Sequence, residues 1–212
     1  MPNSLQFTVL PTRPLFSYDV QITDHQATLD AYLQELDEFM ADNLAPCDSC
    51  HLCCHERATI TSLDIPALAA LLPQSAFPAT AVVAAFGQIS LLADGACDIF
   101  LLRSNDNCFF LDIRGFCREH QSRPLVCRSH FCLAKSQRAE TLRQTIVNQG
   151  LDDLIRLLLS EQKQGAQILL PPAVCADDYP PNAFTHKKTP QEVKLQDLCD
   201  AQLWQELQKT VK

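Results

Sequence analysis

Four cysteines within eight residues, Cys47-Asp-Ser-Cys50-His-Leu-Cys53-Cys54, constrain what this chain can become more than any other feature. A second group follows at Cys108, Cys117, Cys127 and Cys132. Thiolates are soft donors for zinc and for iron-sulfur clusters, and close spacing lowers the entropic cost of gathering several ligands round one centre. The Cys47-x2-Cys50-x2-Cys53 run has the ligand spacing of bacterial ferredoxin-type sites, whose remaining ligand comes from elsewhere in the chain. It is not the C-x3-C-x2-C spacing associated with radical S-adenosylmethionine enzymes. Successive side chains tend to diverge, so Cys53 and Cys54 are expected to serve different roles, one in a metal site and the other in a second site or in packing.

The competing account is burial or disulfide pairing. Free cysteine packs as a small hydrophobe, which suits the isolated Cys97, Cys175 and Cys199. The residues Met1-Pro-Asn-Ser-Leu-Gln-Phe carry neither a basic n-region nor a continuous apolar h-region, so a cytoplasmic location is expected. A reducing cytosol disfavours disulfides, and eleven cysteines fit a complete disulfide framework poorly.

The apolar region 65–93 is interrupted by prolines, Gly87 and Gln88, so it does not supply the roughly 18 uninterrupted apolar residues of a membrane span. No membrane association is expected. Seventeen basic against twenty-five acidic side chains give a net charge of −8, which opposes nonspecific nucleic-acid binding. The balance reverses locally, because residues 112–132 hold four arginines (Arg114, Arg118, Arg123, Arg128) against Asp112 and Glu119. A four-thiolate zinc site or an oxidised four-iron cluster carries a formal charge of about −2, which nearby guanidinium groups would offset. Arg123 and Arg128 are therefore candidate cofactor-binding residues. Helix-start and salt-bridge duty is the alternative.

Helical spacing of Leu29, Tyr32, Leu33, Leu36, Phe39 and Met40 predicts a helix that Asp24 can cap. Residues 58–61 read as strand-like. Asp64 can cap a helix with Pro66 in its first turn, and residues 79–86 predict another. Cys108-Phe-Phe-Leu111 and the turn at Gly115 suggest a small hairpin. Residues 135–148 and 151–162 predict two helices separated at Gly150. A proline-rich linker precedes Thr189-Pro190-Gln-Glu192, which has the form of a capping box with proline at the first helical position. The last helix, carrying Leu195, Leu198, Trp204, Leu207 and Val211, either packs back or docks on a protein partner. The expected fold is mainly α with a small cysteine-rich metal-binding core and a short β-hairpin. Residues 1–170 would form the metal-binding domain, and residues 171–212 the linker and terminal helix.

No dinucleotide fingerprint, phosphate loop, nucleophile elbow or zinc-protease motif occurs. His51, His55, His120 and His130 accompany the cysteines and could replace a thiolate or hydrogen-bond to one. The joined motifs Cys47-x2-Cys50-x2-Cys53-Cys54, Thr59-Ile-Thr-Ser-Leu-Asp64-Ile, Cys108-Phe-Phe-Leu111, Cys117 and Arg123-Pro-Leu-Val-Cys127-Arg128-Ser-His-Phe-Cys132 resemble the YkgJ-type cysteine-cluster (CxxCxxCC) family. That resemblance implies zinc or iron chelation over residues 46–132, and flagellin lysine N-methylases among its members leave an enzymatic role open. The combined expectation is a [4Fe-4S] cluster held by Cys47, Cys50, Cys53 and one cysteine of the second group, foremost Cys127. Cys54, Cys108, Cys117 and Cys132 remain for a second metal site or a redox pair. Two alternatives stand beside it: an interaction module stabilised by four-thiolate zinc sites, and a cluster-dependent methyl- or electron-transfer enzyme.

Overall fold

The computed structural model describes residues 4–11, 17–43, 52–91, 96–130, 133–168 and 170–210. The chain opens with an antiparallel hairpin, β1 (Leu5–Leu10) and β2 (Ser17–Ile22), in the register Leu5 opposite Ile22 and Val9 opposite Tyr18. Helix α1 (Leu29–Asn43) follows and buries Leu29, Tyr32, Leu33 and Leu36, the i, i+3, i+4, i+7 stripe that the sequence spells out. Its cap is not Asp24. Thr28 Oγ1 accepts from the Ala31 N–H, while Asp24 closes the preceding turn by accepting from the Gln26 N–H.

After the short helices α2 (Ile65–Ala69) and α3 (Pro78–Phe86) come two hairpins. The first joins β3 (Gly87–Leu91) to β4 (Cys97–Leu101), and the second joins β5 (Arg103–Ser104) to β6 (Asn107–Cys108). The second turns at Asn105 and Asp106, both at positive φ (50° and 60°), the left-handed pair that a two-residue hairpin loop requires. One helical turn, α4 (Leu125–Arg128), precedes β7 (Ala134–Lys135), which adds to β2 in parallel. Helix α5 (Gln137–Lys163) is next, and α6 (Leu195–Leu198) and α7 (Ala201–Gln208) complete the chain. With three small sheets beside seven helices among the described residues, the architecture is mixed α/β, which corrects the expectation of a mainly α fold. Short strands such as β5 and β6 are fixed by pairing across the fold, so they leave little periodicity in the sequence.

Helix α5, about 40 Å long at 1.5 Å per residue, runs unbroken through Gly150 and is the spine of the molecule. Its first half contributes Ala139, Leu142 and Ile146 to a cluster with Leu5, Tyr18, Tyr32, Leu36, Leu203 and Trp204. Its second half contributes Leu151, Leu154, Ile155 and Leu158 to another cluster with Ile60, Leu68, Val82, Ile99 and Phe110. The expected break is absent because Gly150 serves packing instead. A Cβ there would lie 2.8 Å from Thr61 Cβ and 2.9 Å from Thr61 Cγ2, closer than real Cβ contacts allow. Without one, the 58–64 segment lies directly on the helix.

A distant carboxylate closes the start of α3 and a distant guanidinium group the end of α7. Glu161 accepts from the Ala79 and Thr80 N–H groups at the start of α3. Arg138 pairs with Asp19 at 2.8 Å and donates to the Glu206 and Lys209 carbonyls at the end of α7. The apolar face of α7 thus lies in the same cluster as the N-terminal hairpin. Thr189 and Glu192 do form the expected capping box, round a 3-10 turn.

Candidate metal centre

Three separated stretches bring five cysteines to one cavity of about 310 Å³. Cys53 and Cys54 arrive on a 3-10 turn, Leu52–His55. Cys108 arrives on β6, and Cys117 on a second small hairpin whose bridge pairs it with Leu111. Cys127 arrives on α4. Met40 of α1, packed against the first hydrophobic cluster, and Ala58, Leu101 and Phe110 on the side of the second supply apolar wall, so the site lies where the two meet. Cys47, Cys50, Cys132 and His51 lie outside the described residues.

Cys53 and Cys54 are neighbours in this turn. In a 3-10 turn neighbouring side chains are separated by about 120° rather than alternating, and both line the cavity. Their thiols also hydrogen-bond to each other, which favours the thiolate of Cys53 and drives the Cys54 thiol upward. Burial pushes Cys117 up, and burial pushes Cys127 well up, reinforced by the charges of Cys108, Asp64, Cys53 and Cys117. Thiolates so placed repel one another. A cation among them reverses that repulsion, and a soft metal is the cation that sulfur binds best.

Cys127 is positioned from the spine of the molecule. Gly150 of α5 admits Thr61, whose N–H and Oγ1 both donate to Asp64 Oδ2 at 2.8 Å. The other Asp64 oxygen accepts from the Leu125 N–H at 2.8 Å, at the first turn of α4. The Asp64 carboxylate therefore caps α4 across 61 residues of sequence, whereas it gives no side-chain cap to α2, where the sequence placed it. Burial raises its pKa to about 6.

The two candidate arginines converge on α1. Arg123 reaches Asp37 Oδ1 at 3.2 Å and Arg128 reaches Asp37 Oδ2 at 3.4 Å. Arg123 also lines the cavity, contacts His120 Nε2 at 3.3 Å, adds its charge to the Cys54 effect that favours the Cys53 thiolate, and partly offsets the burial that pushes Cys117 up. Arg128 is not among the cavity-lining residues. Of the histidines, His120 and His130 face the cavity, His130 with its pKa lowered by burial, and His55 is exposed.

All eight described cysteines are free thiols, Cys97, Cys175 and Cys199 among them. Those three lie outside the cavity lining. Among the described residues no three cysteine, histidine or carboxylate side chains already converge on one ion position, and three of the eight clustered cysteines are not among those residues. The donor set nonetheless fits zinc or iron, since several thiols face one cavity and a guanidinium stands beside them. Asp37 carries no metal-site signature in the sequence, and although Thr61 and Asp64 lie in the Thr59-Ile-Thr-Ser-Leu-Asp64-Ile motif, nothing there links them to α4 or Cys127. Only the pairing of elements exposes their part.

The fold thus gathers cysteines from distant parts of the sequence round one cavity. Residues 46–147 match the model of the CxxCxxCC family, described as a "putative zinc- or iron-chelating domain". Neither curated proteins nor solved structures give a match. No helix among the described residues is long and apolar enough to cross a membrane.

Proposed function

We propose that the cavity holds a [4Fe-4S] cluster ligated by Cys47, Cys50, Cys53 and Cys127, in a redox or enzyme-assisting role in the cytoplasm. The observation that carries this reading is the meeting of Cys53 and Cys127 at one cavity wall across more than seventy residues of chain. The volume supports a multi-atom group, since about 310 Å³ is roughly ten times the ~30 Å³ share of one water. When bound, such a cluster supplies one-electron chemistry at a potential set by nearby charge and hydrogen bonds. Arg123 provides positive charge at the wall, and Met40, Ala58, Leu101 and Phe110 limit water access. Free thiols throughout the described residues suit a reducing compartment.

One observation favours a second reading. Cys53, Cys54, Cys108 and Cys117 line the same cavity, which is enough sulfur for a tetrahedral zinc site. Zinc would then fasten the turn to the hairpin and leave Cys127 as packing. Anaerobic purification followed by iron, zinc and acid-labile sulfide analysis separates the two. Iron with a matching amount of sulfide is the expected result, and zinc without sulfide overturns the cluster in favour of the structural site.

A further inference from the structure

The small hairpin carrying Cys117 has an outer face that reaches the thiol cavity only through Phe116. Within ten residues it leaves Phe109 38%, Phe116 44% and Ile113 104% exposed. Solvent-facing aliphatic and aromatic groups gathered on one hairpin are a patch rather than the scattered exposure of an ordinary surface. Two guanidinium groups lie over its rings, Arg118 at 5.4 Å from the centroid of Phe109 and Arg114 at 5.7 Å from that of Phe116. A third, Arg103, stands on the neighbouring strand, opposite Cys108 and so beside Phe109.

The charges on this face are unequally answered. Asp112 neutralises Arg114 at 3.2 Å while its carboxylate also accepts from the Arg114 and Phe116 N–H groups. Arg103 and Arg118 donate to backbone carbonyls, of Asp106 and Phe109 respectively, and among the described residues neither has a carboxylate partner. The protein as a whole carries −8. Stacked arginine and aromatic side chains are the groups enriched at binding hot spots, and unpaired guanidinium beside exposed apolar carbon is complementary to carboxylates flanking an apolar residue.

We propose that the hairpin of residues 109–118, with Arg103, is the docking face for an acidic protein partner, which it seats at the rim of the thiol cavity through Phe116. The occupant is a polypeptide rather than a nucleic acid. Two cations without a carboxylate partner among the described residues are few for tracking a phosphate backbone, and the exposed Ile113 offers a strand of phosphates nothing. The proposal does not depend on which metal the cavity holds.

Fluorescence anisotropy on the full-length, metal-loaded protein at low salt tests it. The probe is a dye-labelled hexapeptide with four glutamates flanking Leu-Phe, compared with its glutamine counterpart. The glutamate peptide should bind roughly tenfold more tightly, and Arg118→Glu and Ile113→Asp should each weaken it roughly tenfold. Both variants lie at exposed positions, so metal content and unfolding midpoint should stay at wild-type values. Absence of binding, equal binding of the two peptides, or unchanged affinity in both variants would overturn the proposal. So would tighter binding of oligothymidylate to the same face, or self-association in sedimentation that Ile113→Asp abolishes. Metal content is a separate readout, so failure of this docking face and failure of the cluster reading remain distinguishable.

Discussion

Cys127 and Cys175 test the thiol assignment by contrast. Cys127 belongs to the second cysteine group and stands half-buried at the cavity wall, while the isolated Cys175 is exposed and donates to Asp178. Cys127→Ser should lose metal and unfold at a markedly lower midpoint, because metal binding to thiolates can supply about 10 kcal/mol of folding free energy. Cys175→Ser should keep both metal and midpoint. Metal analysis with thermal unfolding checks the pair, and retention of metal by Cys127→Ser would remove that residue from the ligand set. Arginine charge is the second test at this scale. Since Arg123 lines the cavity and Arg128 does not, Arg123→Gln should lower the reduction potential of the bound centre more than Arg128→Gln does. Voltammetry giving the reverse order would place Arg128 closer to the centre than the geometry does.

Packing between elements decides how much of each could be read beforehand. Helices α1 and α3 were legible because their apolar stripes are self-contained, as in Leu29, Tyr32, Leu33 and Leu36. Gly150 misled for a physical reason: glycine is read as a helix break from local propensity, while here it permits contact with Thr61, and a residue chosen for a distant neighbour leaves no local mark. Gly150→Ala should therefore destabilise despite alanine's higher helix propensity, by about 1 to 3 kcal/mol from overpacking. Denaturant unfolding would show this, and a stabilised variant would refute the close approach. Asp19, joining β2 to α5 and α7, behaves differently with pH. Burial alone would raise its carboxyl, but hydrogen bonds from Arg138, Ser136 and the Val20 N–H hold it below its usual value. A carboxyl depressed in the folded state contributes stability above its unfolded pKa of about 3.9 and loses it as pH falls through the lower folded value. Asp19→Asn should cost about 3 kcal/mol at neutral pH, as breaking a buried ion pair does. The cost should shrink as pH falls through the folded value, which denaturant unfolding at a series of pH values would follow. Acid sensitivity undiminished in the Asp19→Asn variant would assign the effect to other carboxylates.

At the scale of the whole molecule, two hydrophobic clusters share α5, and the thiol cavity lies against both. The clustering of cysteines and the reversal of charge near them were visible in the sequence, because metal ligands and their counter-charges are concentrated in short stretches. Asp37, which gathers Arg123 and Arg128 onto α1, was not, since an acidic residue on a helix has no distinguishing pattern until the arginines reach it. Nor was the N-terminal hairpin, whose strands β1 and β2 are defined by each other and by α5 and α7. A centre tied to both clusters should stabilise the domain as a unit. Chelation should accordingly lower the unfolding midpoint of the whole chain in one transition, and a separate early transition in calorimetry would show the cysteine region to be independent.

The proposed centre is held by thiolates from separated stretches of the chain. X-ray absorption at the metal edge of the anaerobically purified protein addresses it most directly. The expected first coordination shell is made of sulfur at roughly 2.3 Å, the distance typical of metal-thiolate bonds. A first shell dominated by nitrogen or oxygen would contradict it.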